Sequence, residues 1–179
     1  AEFYHLTKDV GRADFGPLDL PVLMVVSGDD TTINNQYSVD FFCNKITSDS
    51  RKMIWYQSNL SREIPQRKCN GINIFPTAQS DRFVSYSHVA ITMPQSDPHY
   101  GMDGNYSVCL RYSGDAALFL RCREDNEATV YAEHTYLNKF GTYQGKLVRR
   151  TTFNPAYEEM ISELICFVDG NCNEEELNP

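Results

Sequence analysis

Pro21-Val-Leu-Met-Val-Val26 is a continuous apolar run rich in β-branched valine, and Ser27-Gly-Asp-Asp30 follows it directly. A short apolar run bounded by turn residues is typical of a strand that is buried on both faces in a parallel sheet. In open α/β sheets, ligands and catalytic groups collect at the carboxyl ends of the strands. The run therefore predicts a buried strand, and the polar turn after it is a candidate functional position.

The segments that follow continue in helix–strand order. Residues 35–46 carry apolar side chains at i, i+3, i+4 and i+7, and Asn34 or Asn35 can cap the amino end, so this segment predicts an amphipathic helix. Residues 53–56 (Met-Ile-Trp-Tyr) predict a second buried strand, and residues 73–75 a short extended piece. A strand–helix–strand crossover of this kind indicates an α/β fold.

The second half of the chain has a different pattern of polar and apolar residues. Polar and apolar residues alternate over 106–112, and the segments 117–122, 128–133 and 146–152 have the composition of strands. We therefore predict a β-meander, inserted near 103–152. After it, Asn154 as a cap, Pro155 at the first helical position and an apolar stripe at helical spacing predict a closing helix over 155–168.

Composition restricts the class of protein. Hydrophobic residues make up 41% of the 179 residues and charged residues 22%, which is ordinary for a single globular domain. The formal net charge of −8 argues against a nucleic-acid or anionic-membrane surface. No apolar run approaches the roughly 18 residues that a membrane-spanning helix needs. The expected substrate is a small or neutral molecule, and the sequence does not indicate a compartment.

The cysteines allow disulfides without requiring them. The chain has six: Cys43, Cys69, Cys109, Cys122, Cys166 and Cys172. Cys109 and Cys122 are candidates for a bridge across a hairpin, and Cys166 with Cys172 for a short C-terminal loop in an oxidising compartment. No pair has CxxC spacing, which argues against a structural zinc site.

Two motifs carry a family resemblance. The Gly28-Asp-Asp30 turn after a strand, followed later by Ser85-Tyr-Ser-His88-Val-Ala-Ile-Thr92, resembles the C-terminal half of α/β-hydrolase serine hydrolases. The segment Asp97-Pro-His-Tyr-Gly101 is similar to esterase-like or lysophospholipase-like relatives. The resemblance implies that Asp30 is the acid and His88 the base of a Ser-Asp-His triad. It also implies that the substrate is a lipid or small carboxylic ester and that no cofactor or metal takes part.

The chain departs from this family in its nucleophile. The family places its serine in Gly-x-Ser-x-Gly, and this pattern is absent from the sequence. Ser85 and Ser87 are too close to His88 along the chain to reach the far nitrogen of its ring. We therefore expect the serine to come from an N-terminal half of the same hydrolase, as a missing segment or a companion chain. The chain would then be a partial α/β-hydrolase domain over 1–179.

Other interpretations of the same residues stay open. Asp30 can be only a turn residue and His88 only a packed side chain. His99 is a second candidate base, while His5 and His134 are expected on the surface. The alternative function is a non-catalytic binding module in which the meander recognises a glycan, lipid or protein.

Overall fold

The computed structural model of the chain describes residues 16–58, 69–76, 80–106, 108–133 and 142–170. Its first half confirms the predicted crossover unit, but the first strand is only half-buried over residues 22–25 and not buried throughout as predicted. The elements are β1 (Val22–Ser27), α1 (Asn35–Lys45), β2 (Arg51–Gln57) and β3 (Ile72–Pro76). The three strands form a parallel sheet in the order β1-β2-β3.

Helix α1 covers one face of this sheet. The Asn34 side chain caps it by accepting a hydrogen bond from the Tyr37 amide at 3.1 Å. Val39 and Phe42 on the helix pack with Trp55 of β2 in one buried apolar cluster. This packing fixes the helix against the sheet and leaves the turn between β1 and α1 at the sheet edge.

A second, smaller sheet follows in the chain. It contains β4 (Thr129–Ala132), β5 (Thr142–Tyr143) and β6 (Lys146–Arg150), in the order β4-β6-β5. Strands β4 and β6 are parallel, with Ala132 opposite Arg150, whereas β5 and β6 form an antiparallel hairpin. The chain is thus α/β, with helices, one parallel sheet and one mixed sheet.

The predicted meander over 103–152 is wrong in three respects: two of its predicted strands are helical, and the other two pair in parallel. Leu110–Tyr112 is a turn of 3-10 helix, and residues 117–122 lie in helix α2 (Ala116–Glu124), so neither segment is a strand. The Asp115 side chain starts α2 by accepting hydrogen bonds from the amides of the second and third residues after it, at 3.0 and 3.1 Å. The strands predicted over 128–133 and 146–152 do exist, but they pair in parallel.

The disulfides differ in part from expectation. Cys109–Cys122 is confirmed, but it joins the 3-10 turn to α2 and not two strands of a hairpin. Cys43–Cys69, which the sequence did not indicate, connects α1 to the turn before β3. Cys166 is also disulfide-bonded, while Cys172 lies outside the described residues.

An extended segment, residues 82–87, joins the two sheets. On one side the Val84 amide donates to the Tyr131 carbonyl of β4 at 2.8 Å, and residues 83 and 131 form a parallel bridge. On the other side the Ser27 hydroxyl donates to the Tyr86 carbonyl at 3.3 Å. The Tyr86 ring stacks on Tyr56 of β2, with ring centroids 4.6 Å apart. The carboxyl ends of β1, β4 and β6 and of this segment therefore meet at one edge.

The closing helix is present as α3 (Tyr157–Asp169), within two residues of its prediction. The Asn154 side chain accepts from the Ala156 amide at 2.9 Å, so it orders the entry to the helix without being its N-cap. Gly170 ends the helix in the left-handed region at φ 70°. None of the helices in the described ranges is long and apolar enough to cross a membrane.

Candidate active site

Gly28 lets the turn after β1 pass close to a tryptophan. A Cβ built on Gly28 would lie 2.4 Å from Trp55 Nε1, so any larger residue collides with a buried indole. The Gly28 amide still donates to the Tyr56 carbonyl at 2.7 Å, and the Asp30 amide donates to the Ser27 carbonyl at 3.3 Å. The turn therefore continues the sheet by one hydrogen bond and then places Asp30 beyond its end.

The two adjacent aspartates have different surroundings. The Asp29 carboxylate accepts hydrogen bonds from the Ser58 hydroxyl at 2.8 Å and from the Tyr86 amide at 3.1 Å. It is 1% exposed and ties the end of β2 to the segment that carries His88. Asp29 therefore links two backbone segments, whereas the Asp30 carboxylate contacts the histidine.

Asp30 and His88 are in direct contact. The Asp30 Oδ2 atom lies 2.6 Å from His88 Nδ1 and accepts the His88 amide at 2.5 Å. The other oxygen, Oδ1, accepts the amides of Thr32 and Ile33, both at 2.7 Å. Residues 58 positions apart in the chain therefore form a carboxylate–imidazole pair, and three backbone amides fix the orientation of the carboxylate.

Two opposing influences set the charge of Asp30. Burial alone would raise the pKa of the Asp30 carboxyl, because a buried charge loses solvation. Hydrogen bonds from the amides of Ile33 and His88, the His88 ring and the Thr32 amide outweigh burial and hold that pKa below its ordinary value. Asp30 is therefore a carboxylate at neutral pH and a hydrogen-bond acceptor for the ring.

The backbone beside His88 is anchored on both sides. The Ser87 hydroxyl donates to the Thr151 carbonyl at 2.7 Å, and the Ser85 hydroxyl accepts the Glu133 amide at 2.8 Å. The His88 side chain itself is 33% exposed. Since Nδ1 is bound to Asp30, Nε2 is the ring nitrogen left for a reacting group, and in the described ranges it has no hydrogen-bond partner.

Two charged residues near this pair were not indicated by the sequence. Arg150, the last residue of β6, places Nη2 3.4 Å from His88 Nδ1, and Thr32 Oγ1 lies at the same distance from Nη2. Glu133 directly follows β4, is 2% exposed, and its Oε2 also lies 3.4 Å from Arg150 Nη2. A carboxylate and a guanidinium therefore flank the Asp30–His88 pair.

The other candidate residues lie apart from this pair or are already bonded. Ser85 and Ser87 are buried, and the hydrogen bonds just described occupy their hydroxyls. His99 is exposed, and its Nδ1 lies 2.5 Å from Asn105 Oδ1. His5 and His134 lie outside the described residues.

The described residues hold no group of three histidine, cysteine or acidic side chains that could bind a metal ion. Two cavities, of about 410 and 360 Å³, lie elsewhere, and neither is lined by Asp30 or His88. Comparisons of the chain with protein-family models, curated proteins and solved structures give no match. The arrangement of residues at the site therefore carries the functional argument.

Proposed function

We propose that this chain supplies the acid and base of a Ser-Asp-His triad in an α/β-hydrolase-type serine esterase that cleaves a lipid or small carboxylic ester. One observation carries the proposal, namely the 2.6 Å contact between Asp30 Oδ2 and His88 Nδ1 at the carboxyl edge of a parallel sheet. A carboxylate in this position fixes the imidazole tautomer and stabilises the imidazolium that forms during catalysis.

The chemistry follows from which ring nitrogen is accessible. The serine hydroxyl attacks the ester carbonyl carbon while its proton passes to His88 Nε2, and Asp30 stabilises the charged ring. The tetrahedral intermediate then breaks its bond to the alcohol oxygen, and His88 returns the proton to the leaving alcohol. Water next attacks the acyl-enzyme, with His88 again taking and returning a proton, and the carboxylic acid is released. No metal or organic cofactor enters these steps.

The nucleophile belongs, in this proposal, to the N-terminal half of the same hydrolase, as a segment or a companion chain. Two observations support that assignment. The hydroxyls of Ser85 and Ser87 are buried and engaged with backbone groups. The 33% exposure of the His88 side chain also leaves room for a serine to approach from outside the described residues.

Site-directed variants of the complete protein test the proposal. The protein would be assayed for turnover of a p-nitrophenyl ester with His88→Ala, Asp30→Asn and His99→Ala. We expect the first two to lose turnover and the third, a histidine in an exposed turn, to retain it. Equal turnover in His88→Ala and wild type would reject a catalytic role for the pair.

The alternative function, non-catalytic recognition of a glycan, lipid or protein, retains one supporting observation. Tyr100 and Tyr106 are 37% and 42% exposed, with ring centroids 5.1 Å apart, and Leu110 nearby in sequence is 72% exposed. Exposed aromatic rings of this kind suit ligand stacking. A Tyr106→Ala change that weakens ligand binding while Asp30→Asn leaves it intact would favour this second function.

A further inference from the structure

A guanidinium group lies beside the carboxylate–imidazole pair and has no part in the triad chemistry. Arg150 ends β6, and its Nη2 is 3.4 Å from His88 Nδ1. Because Nδ1 also lies 2.6 Å from Asp30, its proton points to the carboxylate and it has no lone pair to accept a bond from Arg150. The contact is therefore one of charge, and the cation disfavours a second positive charge on the ring.

The position of Arg150 is fixed by the fold. Its amide donates to the Val108 carbonyl at 3.3 Å, and its side chain is 22% exposed. Its Nε is buried and has no hydrogen-bond partner among the residues that the structure describes. Glu133, whose side chain is 3% exposed, faces it as a counterion.

The charges around His88 come from several elements. Asp30, after β1, contacts the ring directly, and Glu133, after β4, contacts Arg150. Asp29 is bonded to Ser58 and the Tyr86 amide on the far side of the turn. Among these groups only Arg150 is a cation, so it is the one that opposes proton uptake by the ring.

We propose that Arg150 is a positioning residue that keeps the His88 ring neutral and ready to act as a base, with Glu133 as the counterion of its guanidinium. A general base must be unprotonated before the nucleophile reacts, and a lone buried carboxylate would favour early protonation. Arg150 places a positive charge beside the ring that offsets that tendency. This inference rests on the proposed function, since it gives His88 the role of base.

Three single variants separate charge from packing. Arg150→Gln removes the cation, Arg150→Lys keeps it, and Glu133→Gln removes the counterion. NMR of the complete protein would follow the ring Hε1 signal of His88 against pH, with the signal assigned by its loss in His88→Ala. Amide spectra would verify that each variant is folded.

We expect the midpoint of the His88 titration to rise by about half a pH unit or more in Arg150→Gln and to fall in Glu133→Gln. Arg150→Lys should stay near wild type. A midpoint in Arg150→Gln that equals or lies below the wild-type value would overturn the inference, as would a rise in Glu133→Gln. The titration requires no turnover, so an inactive protein leaves it measurable, and an active hydrolase with unshifted midpoints would refute only the role of Arg150.

Discussion

Two loops of this protein pair an aspartate with a histidine, and they differ in what holds the pair. Asp97 accepts the amides of His99 and Tyr100 within its own exposed turn, at 2.8 and 2.7 Å. Asp30 also accepts nearby amides, but its second oxygen binds a histidine 58 residues away. In both loops hydrogen bonds hold the aspartate pKa below its ordinary value. At Asp30 they outweigh the effect of burial, whereas Asp97 lies in an exposed turn. Of the two carboxylates, the Asp30 carboxylate is the one that contacts a histidine ring distant in the chain, while the Asp97 carboxylate accepts amides of its own turn.

The largest expected difference between the loops is in catalysis. Asp30→Asn leaves the size of the side chain unchanged but removes the charge that stabilises the imidazolium. It should lower ester turnover by about 10³–10⁴-fold. Asp97→Asn, the matched change in the other loop, should alter turnover by less than about twofold. Steady-state kinetics of the complete protein measure both. Similar losses of turnover in the two variants would contradict a special role for Asp30.

The turn geometry gives a stability prediction. Gly28→Ala places a methyl group against the buried Trp55 ring and should lower the free energy of unfolding by about 1–3 kcal/mol. Gly114→Ala is the control, because a Cβ there meets nothing within 4 Å. Urea denaturation followed by tryptophan fluorescence compares them. A Gly28→Ala protein as stable as wild type would show that the turn is not tightly packed.

The dependence of stability on acid pH gives a smaller expected effect at Asp30. Since the pKa of Asp30 is lower in the folded than in the unfolded chain, its stabilising contribution is present above the ordinary carboxyl value of 3.8 and is lost as pH falls through the folded value. Asp30→Asn should therefore flatten the fall in unfolding free energy below about pH 4. Denaturant titrations at several pH values test this, and an unchanged slope would contradict it.

At Glu159 on α3 we expect the opposite pH dependence of the unfolding free energy. Burial, and then the nearby charge of Glu163, raise the Glu159 pKa above its ordinary value of 4.5. The unfavourable charge appears as pH rises through that range, so stability falls there. Glu159→Gln should remove this small loss, and the same denaturant titrations above pH 4 measure it. If the variant loses stability above that pH as steeply as wild type, the prediction fails.

The sequence was sufficient for the first half of the fold because its elements are local. The apolar runs within 22–27 and 51–57 are rich in β-branched or aromatic residues, which favours strand over helix, and the stripe over 35–45 has helical period. The prediction of a strand at 117–122 failed because a short apolar run suits helix or strand equally. The Asp115 cap followed by two alanines was the signal in favour of helix.

The site was predicted in part for a related reason. Asp30 and His88 follow recognisable motifs, whereas Glu133 and Arg150 depend on how β4 and β6 pair. In an antiparallel meander the carboxyl ends of neighbouring strands lie at opposite edges, which would separate these two residues. The parallel pairing, with Ala132 opposite Arg150, brings them together beside His88. No local pattern distinguishes the two arrangements.

The most direct test of the central claim is fluorophosphonate labelling of the purified, undigested protein, with mass spectrometry to locate the modified serine. We predict one labelled serine, outside these 179 residues, with labelling lost in His88→Ala and retained in His99→Ala. Absence of labelling in the intact protein, or labelling that persists in His88→Ala, would contradict the assignment of Asp30 and His88 as the acid and base of a serine hydrolase.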